Sequence, residues 1–307
     1  MPTLDRITIY PVKSLDGLEL AECGVLASGG LEHDRRWRVV DMDGRVFNAK
    51  RSPLVSAIRA EFDLDERLVT LWVDPATLKA AALPAADLDR LRGLAGNPGG
   101  RVIRDSFHLV PGQGGPCEWL SEVFGVGVLL QERADGGFPD DRDAPGPTLV
   151  STATLAEVAR WFGFDLAESR RRFRANLEIG GCDAFWEDTL ASPARPELQP
   201  SLLDLPADLP VDPYADLPPP EPREFSIGEA MFIATNVCRR CVVPTRDSRT
   251  GMVTEHFRDA FEARRSRGMR ADVDAAAWGT LYRLAANTAI RATGRPLSVG
   301  DVLSAPK

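Results

Sequence analysis

The first third of the chain alternates between apolar and polar positions in short runs, the pattern of half-buried β-strands. In ITIYPV, Ile7 and Ile9 fall on one side and Thr8 falls on the other. Turn signals such as DMDG and DLDE separate the runs that follow, and these predict strands at RRWRVVD, GRVFNAK, IRAEFDL and RLVTLWV. Short strands at this spacing favour a β-barrel or a β-sandwich.

Helical periodicity appears later in the chain, where apolar residues recur every three or four positions. The segment CEWLSEVFGVGVLLQE, which begins at Cys117, predicts a short helix that ends near Gly125 and a strand after it. A second helix is predicted with Thr154 as its N-cap, because Glu157 lies at the capping-box spacing. The segment LEIGG is predicted as a strand, and RPLSVGDVL as a turn into a closing strand.

These patterns predict a mainly β fold with several helices, an α+β architecture, divided into two domains. A chain of 307 residues is longer than one hydrophobic core usually serves. We therefore expect an N-terminal β-barrel-like domain at 1–115 and a second domain at 116–307. Ten of the 24 prolines lie at 193–222 together with several acidic residues, so this segment is predicted to be a surface excursion or lid within the second domain.

Composition and charge narrow the expected partners and compartment. With 44% hydrophobic and 27% charged residues, the chain has the composition of an ordinary globular protein. The formal net charge of −8 argues against nucleic acid or an anionic membrane surface as a partner. No apolar run reaches the length of a membrane helix, and the first residues lack the pattern of a signal peptide. The expected compartment is therefore the cytoplasm.

Cys238 and Cys241 form the strongest local motif, a CxxC pair. A zinc site would need two more ligands, which Cys182 or His256 would have to supply. A thioredoxin-like redox pair is expected at the start of a helix, whereas the VVPT that follows Cys241 resembles a strand ended by proline. Spacing alone leaves three alternatives open: a metal site, a redox pair, or buried and inert thiols.

Cationic residues occur at the ends of predicted strands and helices in both halves of the chain. Lys13 and Ser14 follow the first predicted strand, and Arg35 precedes another. Four arginines precede LEIGG, namely Arg170, Arg171, Arg172 and Arg174. Each alone is explained by a solvated side chain or by a helix C-terminus. Together they would be able to hold a ligand with several negative charges in a cleft.

Five segments, in this order, carry a resemblance to a known family: YPVKSLDG, HDRRWRVVD, FRANLEIGGCDAFWED, CRRCVVPTRDSRTG and SVGDVL. They resemble MOSC proteins that have an N-terminal MOSC-associated β-barrel domain, a group that includes the mitochondrial amidoxime-reducing component and its bacterial relatives. The first two segments are weak signals individually, whereas the cysteine segment and the segment with FRAN, GCD and ED are specific.

The resemblance implies that the N-terminal domain packs on a MOSC β-barrel domain. It also implies a molybdenum cofactor, in which molybdopterin and one protein cysteine ligate the metal. Cys241 matches that cysteine, and Cys238 is then only its neighbour. The positions that match cofactor-binding residues are Lys13, Ser14, Arg35, Arg174, Asn176 and Thr245. Asp247 matches the loop after the cysteine, where it would orient that loop or take part in catalysis.

The implied activity is an oxidoreductase that reduces N-hydroxylated compounds, such as amidoximes and hydroxylamines, to amines. No membrane anchor and no fused ferredoxin domain is apparent, so the electrons are expected from a separate protein of the ferredoxin, flavin or cytochrome type. Arg239 and Arg240 make the approach to Cys241 unusually cationic, which favours anionic substrates.

Three other functions stay open at this point. The first is a sulfur-transfer or persulfide-carrier protein that uses Cys241, because the MOSC fold also occurs in cofactor sulfuration. The second is a protein that binds or stores the cofactor without turnover. The third is a thiol oxidoreductase that uses both cysteines of the CxxC pair.

Overall fold

The structure, a computed structural model, describes most of the chain, namely residues 1–80, 83–95, 102–141, 144–192 and 223–304. The predicted proline-rich excursion at 193–222 lies outside the described residues. None of the helices in the described ranges is long and apolar enough to cross a membrane.

Short strands make up much of the regular structure. In chain order they are β1 (Thr3–Ile9), β2 (Leu18–Leu20), β3 (Glu22–Cys23), β4 (Trp37–Asp41), β5 (Ile58–Asp63), β6 (Leu68–Val73), β7 (Asp105–His108), β8 (Val128–Glu132), β9 (Leu149–Ser151), β10 (Leu177–Gly180), β11 (Glu224–Ile227), β12 (Ala230–Arg239), β13 (Arg283–Ala292), β14 (Leu297–Ser298) and β15 (Leu303–Ser304). The alternation noted in the first strand is real, because Ile7 and Ile9 are buried while Thr8 between them is not fully covered.

Helices connect or flank these strands. They are α1 (Pro75–Ala80), α2 (Ala85–Ala95), α3 (Pro116–Phe124), α4 (Thr152–Phe162), α5 (Leu166–Phe173), α6 (Asp188–Ala191) and α7 (Phe257–Arg267), with 3₁₀ helices at Pro53–Ala57, Val243–Thr245 and Ala276–Trp278. The helix predicted from Cys117 is confirmed as α3. It ends where Gly125 takes the left-handed conformation with φ of 68°, a conformation that glycine adopts without strain.

An eight-stranded sheet in the order β15-β11-β12-β13-β9-β10-β1-β2 unites strands that are distant in sequence. β9 and β10 run parallel, whereas the other neighbours in this sheet run antiparallel. Smaller sheets are formed by β5-β6-β7, β4-β8 and β14-β3. β4 and β8 pair across the predicted domain boundary at 115/116, and that boundary stays a prediction.

The hydrophobic core consists of several clusters. One joins β4, β5, β6 and β8 with α2 and α3. A second fills the space between β1 and β9 to β12, and a third, rich in aromatic rings, lies between α4, α5 and α7. The predicted class, mainly β with several helices in an α+β arrangement, is confirmed. The strands expected at RRWRVVD, IRAEFDL and RLVTLWV are β4, β5 and β6.

Three local predictions are wrong. GRVFNAK is not a strand, because Val46 forms only an isolated bridge with Val40. The cap of α4 is Ser151, whose hydroxyl accepts a hydrogen bond from the amide of Thr154, and so the helix begins three residues earlier than predicted. The VVPT segment contains a 3₁₀ helix at Val243–Thr245 and not a strand. Pro244 is compatible with this helix because the amides of a first helical turn have no acceptor within the helix.

A buried acidic pair lies at the N-terminus of α6, in contact with the start of α4. Both Glu187 and Asp188 are fully covered, and Asp188 forms an ion pair with the buried guanidinium of Arg265. One carboxylate oxygen of Glu187 accepts hydrogen bonds from the Thr154 hydroxyl and the Ser151 amide. Burial and the neighbouring Asp188 carboxylate raise the pKa of Glu187 to about 8, so Glu187 retains its proton at neutral pH.

The variant Glu187→Gln is expected to flatten the pH dependence of folding stability. Unfolded glutamate titrates near 4.5, and the folded group titrates near 8. Between pH 4.5 and pH 8, Glu187 in the folded wild type holds a proton that the same residue has lost in the unfolded chain. The free energy of unfolding therefore falls as pH rises, by at most about 1.4 kcal/mol per pH unit. Glutamine does not titrate, so the variant gains stability relative to wild type at pH 8 more than at pH 5.

Denaturant unfolding at both pH values measures this difference. Glu118→Gln is the matched control, because Glu118 is an exposed carboxylate on α3. Equal pH slopes for wild type and Glu187→Gln would contradict the assignment of a proton to Glu187.

Candidate functional site

A cavity of about 680 Å³ lies where the end of β1, the start of β4, the end of α5 and the end of β12 meet. Its volume is in the range of sites that hold small molecules and cofactors. Seven of the predicted site residues line it, namely Lys13, Ser14, Arg35, Arg174, Asn176, Cys241 and Asp247. The structure therefore brings together residues from both halves of the chain in one cavity.

Lys13 and Arg35 form a cationic pair at one end of the cavity. The Nζ of Lys13 lies 2.9 Å from a carboxylate oxygen of Asp140, and the Nε of Arg35 lies 3.6 Å from the other oxygen. Burial opposes ionisation of Asp140, but Arg35 and Lys13 outweigh it and hold the pKa of Asp140 well below its usual range. Ser14 is adjacent, and its hydroxyl accepts a hydrogen bond from the Ala49 amide. An anionic group is thus already stabilised at this end.

Arg174 and Arg35 both pack on the ring of Tyr10, with guanidinium carbons 3.9 and 5.5 Å from the ring centre. Arg174 donates a hydrogen bond to the Leu15 carbonyl and forms no ion pair with any described carboxylate. Burial lowers the pKa of Arg174, although a guanidinium stays protonated at all ordinary pH values. The cavity therefore contains a half-buried positive charge without a counter-ion among the described residues.

Three of the predicted binding residues have left-handed backbone conformations. Ser14, Arg35 and Arg174 have φ values of 77°, 49° and 51°. Such a conformation costs a non-glycine residue about 1 kcal/mol or more and persists where the surrounding structure imposes it. For Arg174 the cause is local, because it ends α5 with its amide bonded to the Arg170 carbonyl.

Asn176 connects the two halves of the site. Its amide nitrogen donates to the Thr8 carbonyl on β1, and its amide oxygen accepts from the Thr148 amide and from Arg35. The side chain is 2% exposed, so these bonds satisfy most of its capacity. Asn176 therefore acts mainly by fixing Arg35 in place, although it also lines the cavity.

Cys241 lies two residues after the end of β12, in a half-buried position on the cavity wall. Cys238 also lines the cavity, but from within β12. The pair is therefore at the end of a strand and not at the start of a helix, which argues against the thioredoxin-like arrangement. Within the described ranges, no group of three or more His, Cys, Asp or Glu side chains is arranged to hold a metal ion, so the zinc alternative has no further ligands there.

The loop after Cys241 is anchored to α5. Glu168 accepts hydrogen bonds from the backbone amide and the hydroxyl of Ser248. Arg172, which is 6% exposed, donates to Glu168, to the Pro244 carbonyl and to the Thr254 hydroxyl. The arginine-rich run is therefore not a solvated helix end, because Arg172 is buried and pairs with Glu168.

Asp247 stabilises the same loop. Its carboxylate accepts hydrogen bonds from the amides of Arg249 and Thr250 and from the Thr250 hydroxyl, at 2.8 to 3.0 Å. Partial burial would raise the pKa of Asp247, but these bonds outweigh it, and the pKa is lowered. A carboxyl group with a lowered pKa is a poor proton donor near neutral pH.

Thr245 is the one predicted site residue that is not among those lining the cavity in the described part of the chain. Its hydroxyl donates to the Val242 carbonyl at 2.7 Å, within the 3₁₀ helix. Thr245 therefore shapes the loop after Cys241.

Sequence reasoning missed several residues of the cavity. Tyr10 lies in the YPVKSLDG segment without a predicted role in the site, and Asp140 lies in a loop that carries no motif. Asn236 and Asn287 form a further polar wall, where the Asn287 amide donates to Asn236 and to Asp141. No local sequence signal marks these positions, because pairing of β12 with β13 brings them together.

Comparison with known proteins gives matches along most of the chain. Residues 1–125 match the MOSC N-terminal beta barrel domain. The molybdenum cofactor sulfurase of Drosophila yakuba is 28% identical over 258 residues, which cover 81% of this chain and 28% of that protein. The Anopheles gambiae protein of the same name is 27% identical over 266 residues, covering 81% and 31%. The Homo sapiens protein is 22% identical over 291 residues, covering 85% and 28%.

This chain therefore spans less than a third of the length of these relatives. The N-terminal match includes Lys13, Ser14 and Arg35, three of the residues that line the cavity. The resemblance to MOSC proteins that the sequence motifs indicated is confirmed, since residues 1–125 match the MOSC N-terminal beta barrel domain.

Proposed function

We propose that this chain is a molybdenum-cofactor oxidoreductase that reduces N-hydroxylated compounds, such as amidoximes and hydroxylamines, to amines. The observation that supports this most is the single cavity of about 680 Å³ that combines the Cys241 thiol with Lys13, Arg35 and Arg174. A thiolate is a soft ligand suited to molybdenum, and a set of cations suits the phosphate of a pterin cofactor.

The residues present fit such a cofactor. Lys13, Ser14 and Arg35 would hold its phosphate, at the end of the cavity where the Asp140 carboxylate is already stabilised. Arg174 would contact the pterin, since it has no described counter-ion. Cys241 would ligate the metal. The bound cofactor would supply the two-electron chemistry by which the N–O bond is broken, as two protons are taken up and water is released.

Other residues of the chain would position this site. Asn176 fixes Arg35, and the Glu168–Arg172 pair fixes the loop that follows Cys241. We assign Asp247 to the same positioning role, because its carboxylate is engaged by the turn at 247–250 and its pKa is lowered. The two electrons would come from a separate protein of the ferredoxin, flavin or cytochrome type.

A second candidate function is sulfur transfer, which the similarity to molybdenum cofactor sulfurases favours. Cys241 would then carry a persulfide sulfur that a separate donor supplies. The cationic cavity would in that case hold the acceptor cofactor only during transfer. The two functions differ in what the isolated protein contains, namely molybdenum or cyanide-releasable sulfur.

Molybdenum content is expected to depend on Cys241 and not on Cys238. Wild type from a host that makes the cofactor should contain near-stoichiometric molybdenum and reduce benzamidoxime with a low-potential chemical reductant. Cys241→Ala should contain less molybdenum and lose the reduction entirely, because the thiolate ligand is absent. Elemental analysis and an amine assay measure both properties.

Cys238→Ala is the matched control, since Cys238 lines the same cavity and should retain both properties. Equal damage in the two variants would support a thiol pair instead. If folded wild type contains no molybdenum but carries cyanide-releasable sulfur on Cys241, the result would contradict the reductase function and support sulfur transfer.

Asp140→Asn is expected to strengthen the binding of inorganic pyrophosphate to the cofactor-free protein. The Asp140 carboxylate, whose side chain is 54% exposed, competes with an incoming phosphate for Lys13 and Arg35. Removal of this competitor should raise affinity by up to about fivefold, equivalent to about 1 kcal/mol for a half-exposed ion pair. Isothermal titration calorimetry measures the affinity.

Asp135→Asn provides the control. It removes the same charge from an exposed carboxylate that pairs with Arg133 and does not line the cavity. Equal affinities in Asp140→Asn and Asp135→Asn would mean that Lys13 and Arg35 are not the phosphate site.

A further inference from the structure

Arg240 presents two buried hydrogen-bond donors that have no described acceptor. Its Nε and Nη2 atoms are shielded from solvent, and no described residue accepts a hydrogen bond from them. Arg240 lines the cavity, and its guanidinium carbon lies 5.6 Å from the centre of the Phe173 ring. Buried donors on a charged group are rarely left unsatisfied, so this edge of the guanidinium needs an explanation.

The same edge binds carboxylates elsewhere in this chain. Arg160, Arg170 and Arg270 each bring Nε and Nη2 to both oxygens of one carboxylate, with distances of 2.6 to 2.9 Å. The planar guanidinium matches a group with two coplanar oxygens at this edge. The unsatisfied edge of Arg240 is therefore complementary to a carboxylate or a similar oxyanion.

Neighbouring cations strengthen the preference for an anion at this end of the cavity. Arg239 and Arg283 are directly opposite each other on β12 and β13, and both line the cavity. Like charges in such a cross-strand pair repel. Burial, and then the proximity of Arg239, lowers the pKa of Arg283. Arg239 and Arg240 form no ion pair with a carboxylate in the described ranges.

We propose that Arg239 and Arg240 form an oxyanion subsite for the substrate, so that the preferred substrates are N-hydroxylated compounds that also carry a carboxylate. This inference rests on the proposed reductase function. It assigns the cofactor phosphate and the substrate carboxylate to different groups of cations. Lys13 and Arg35 adjoin β1 and β4, whereas Arg239 and Arg240 lie at the end of β12 next to Cys241, the proposed metal ligand.

The test uses two substrates that differ by one carboxylate, benzamidoxime and 4-carboxybenzamidoxime. The ratio of their kcat/KM values in one preparation is independent of the fraction of protein that holds cofactor. Wild type is expected to favour the carboxylated compound. Arg240→Gln should lower this preference by about tenfold, the effect of losing one charge-assisted bidentate contact. Arg239→Gln should lower it less, because Arg239 is exposed.

Arg267→Gln is the control, since it removes the same charge from an exposed position on α7 outside the cavity. It should keep the wild-type ratio. Thermal unfolding of each variant verifies that it is folded, and Arg239→Gln keeps the test valid if Arg240→Gln does not fold.

The possible results separate the subsite from the function on which it rests. An unchanged substrate ratio with a loss of molybdenum in Arg240→Gln would mean that Arg240 holds the cofactor phosphate, and it would overturn the proposal. If wild type reduces neither compound, the reductase function fails, and calorimetry of both compounds then tests the subsite directly. Tighter binding of the carboxylated compound, abolished in Arg240→Gln, would support it, and equal binding of both compounds would overturn it.

Discussion

The buried ion pair between Glu168 and Arg172 is the interaction on which the geometry of the site depends. Arg172 reaches from α5 to the Pro244 carbonyl, and Glu168 binds the amide of Ser248, so together they hold the loop that follows Cys241. The same helix ends at Arg174, which enters the cavity. The Glu168–Arg172 pair thus fixes the Cys241 thiol relative to the half-buried Arg174. Glu168 also pairs with Arg171, and an Asp247 carboxylate oxygen lies 3.8 Å from Arg172, so the pair is the centre of a small network of charges.

The cavity has a charge opposite to that of the whole chain. The net charge is −8, yet Arg174, Arg239, Arg240 and Arg283 line the cavity and form no ion pair with any carboxylate in the described ranges. The cationic side chains in the cavity lining outnumber the carboxylates. A concave site with an excess of one sign of charge concentrates ligands of the opposite sign. The cavity therefore favours an anionic ligand on a chain whose net charge is negative.

The sequence predicted the parts of this structure that depend on local patterns. Alternation identified β1, β4, β5 and β6, and the family motifs singled out residues of which seven line one cavity. It did not predict that Arg172 is buried while its neighbour Arg171 is not, because this depends on the docking of the cysteine loop against α5. Contacts such as that of Asn176 with Thr8 likewise require β10 to pair with β1, which lies more than 160 residues earlier.

The shape of the site favours a resident ligand over a sulfur carried only briefly. A persulfide carrier needs a thiol that a donor protein and an acceptor can both approach, whereas Cys241 is half-buried on the wall of a cavity of about 680 Å³. On the same wall, Arg174 and Arg240 form no ion pair with a carboxylate in the described ranges, so an anionic ligand would compensate their charge. A resident anionic cofactor would supply this compensating charge continuously, whereas an acceptor bound only during sulfur transfer would supply it only briefly.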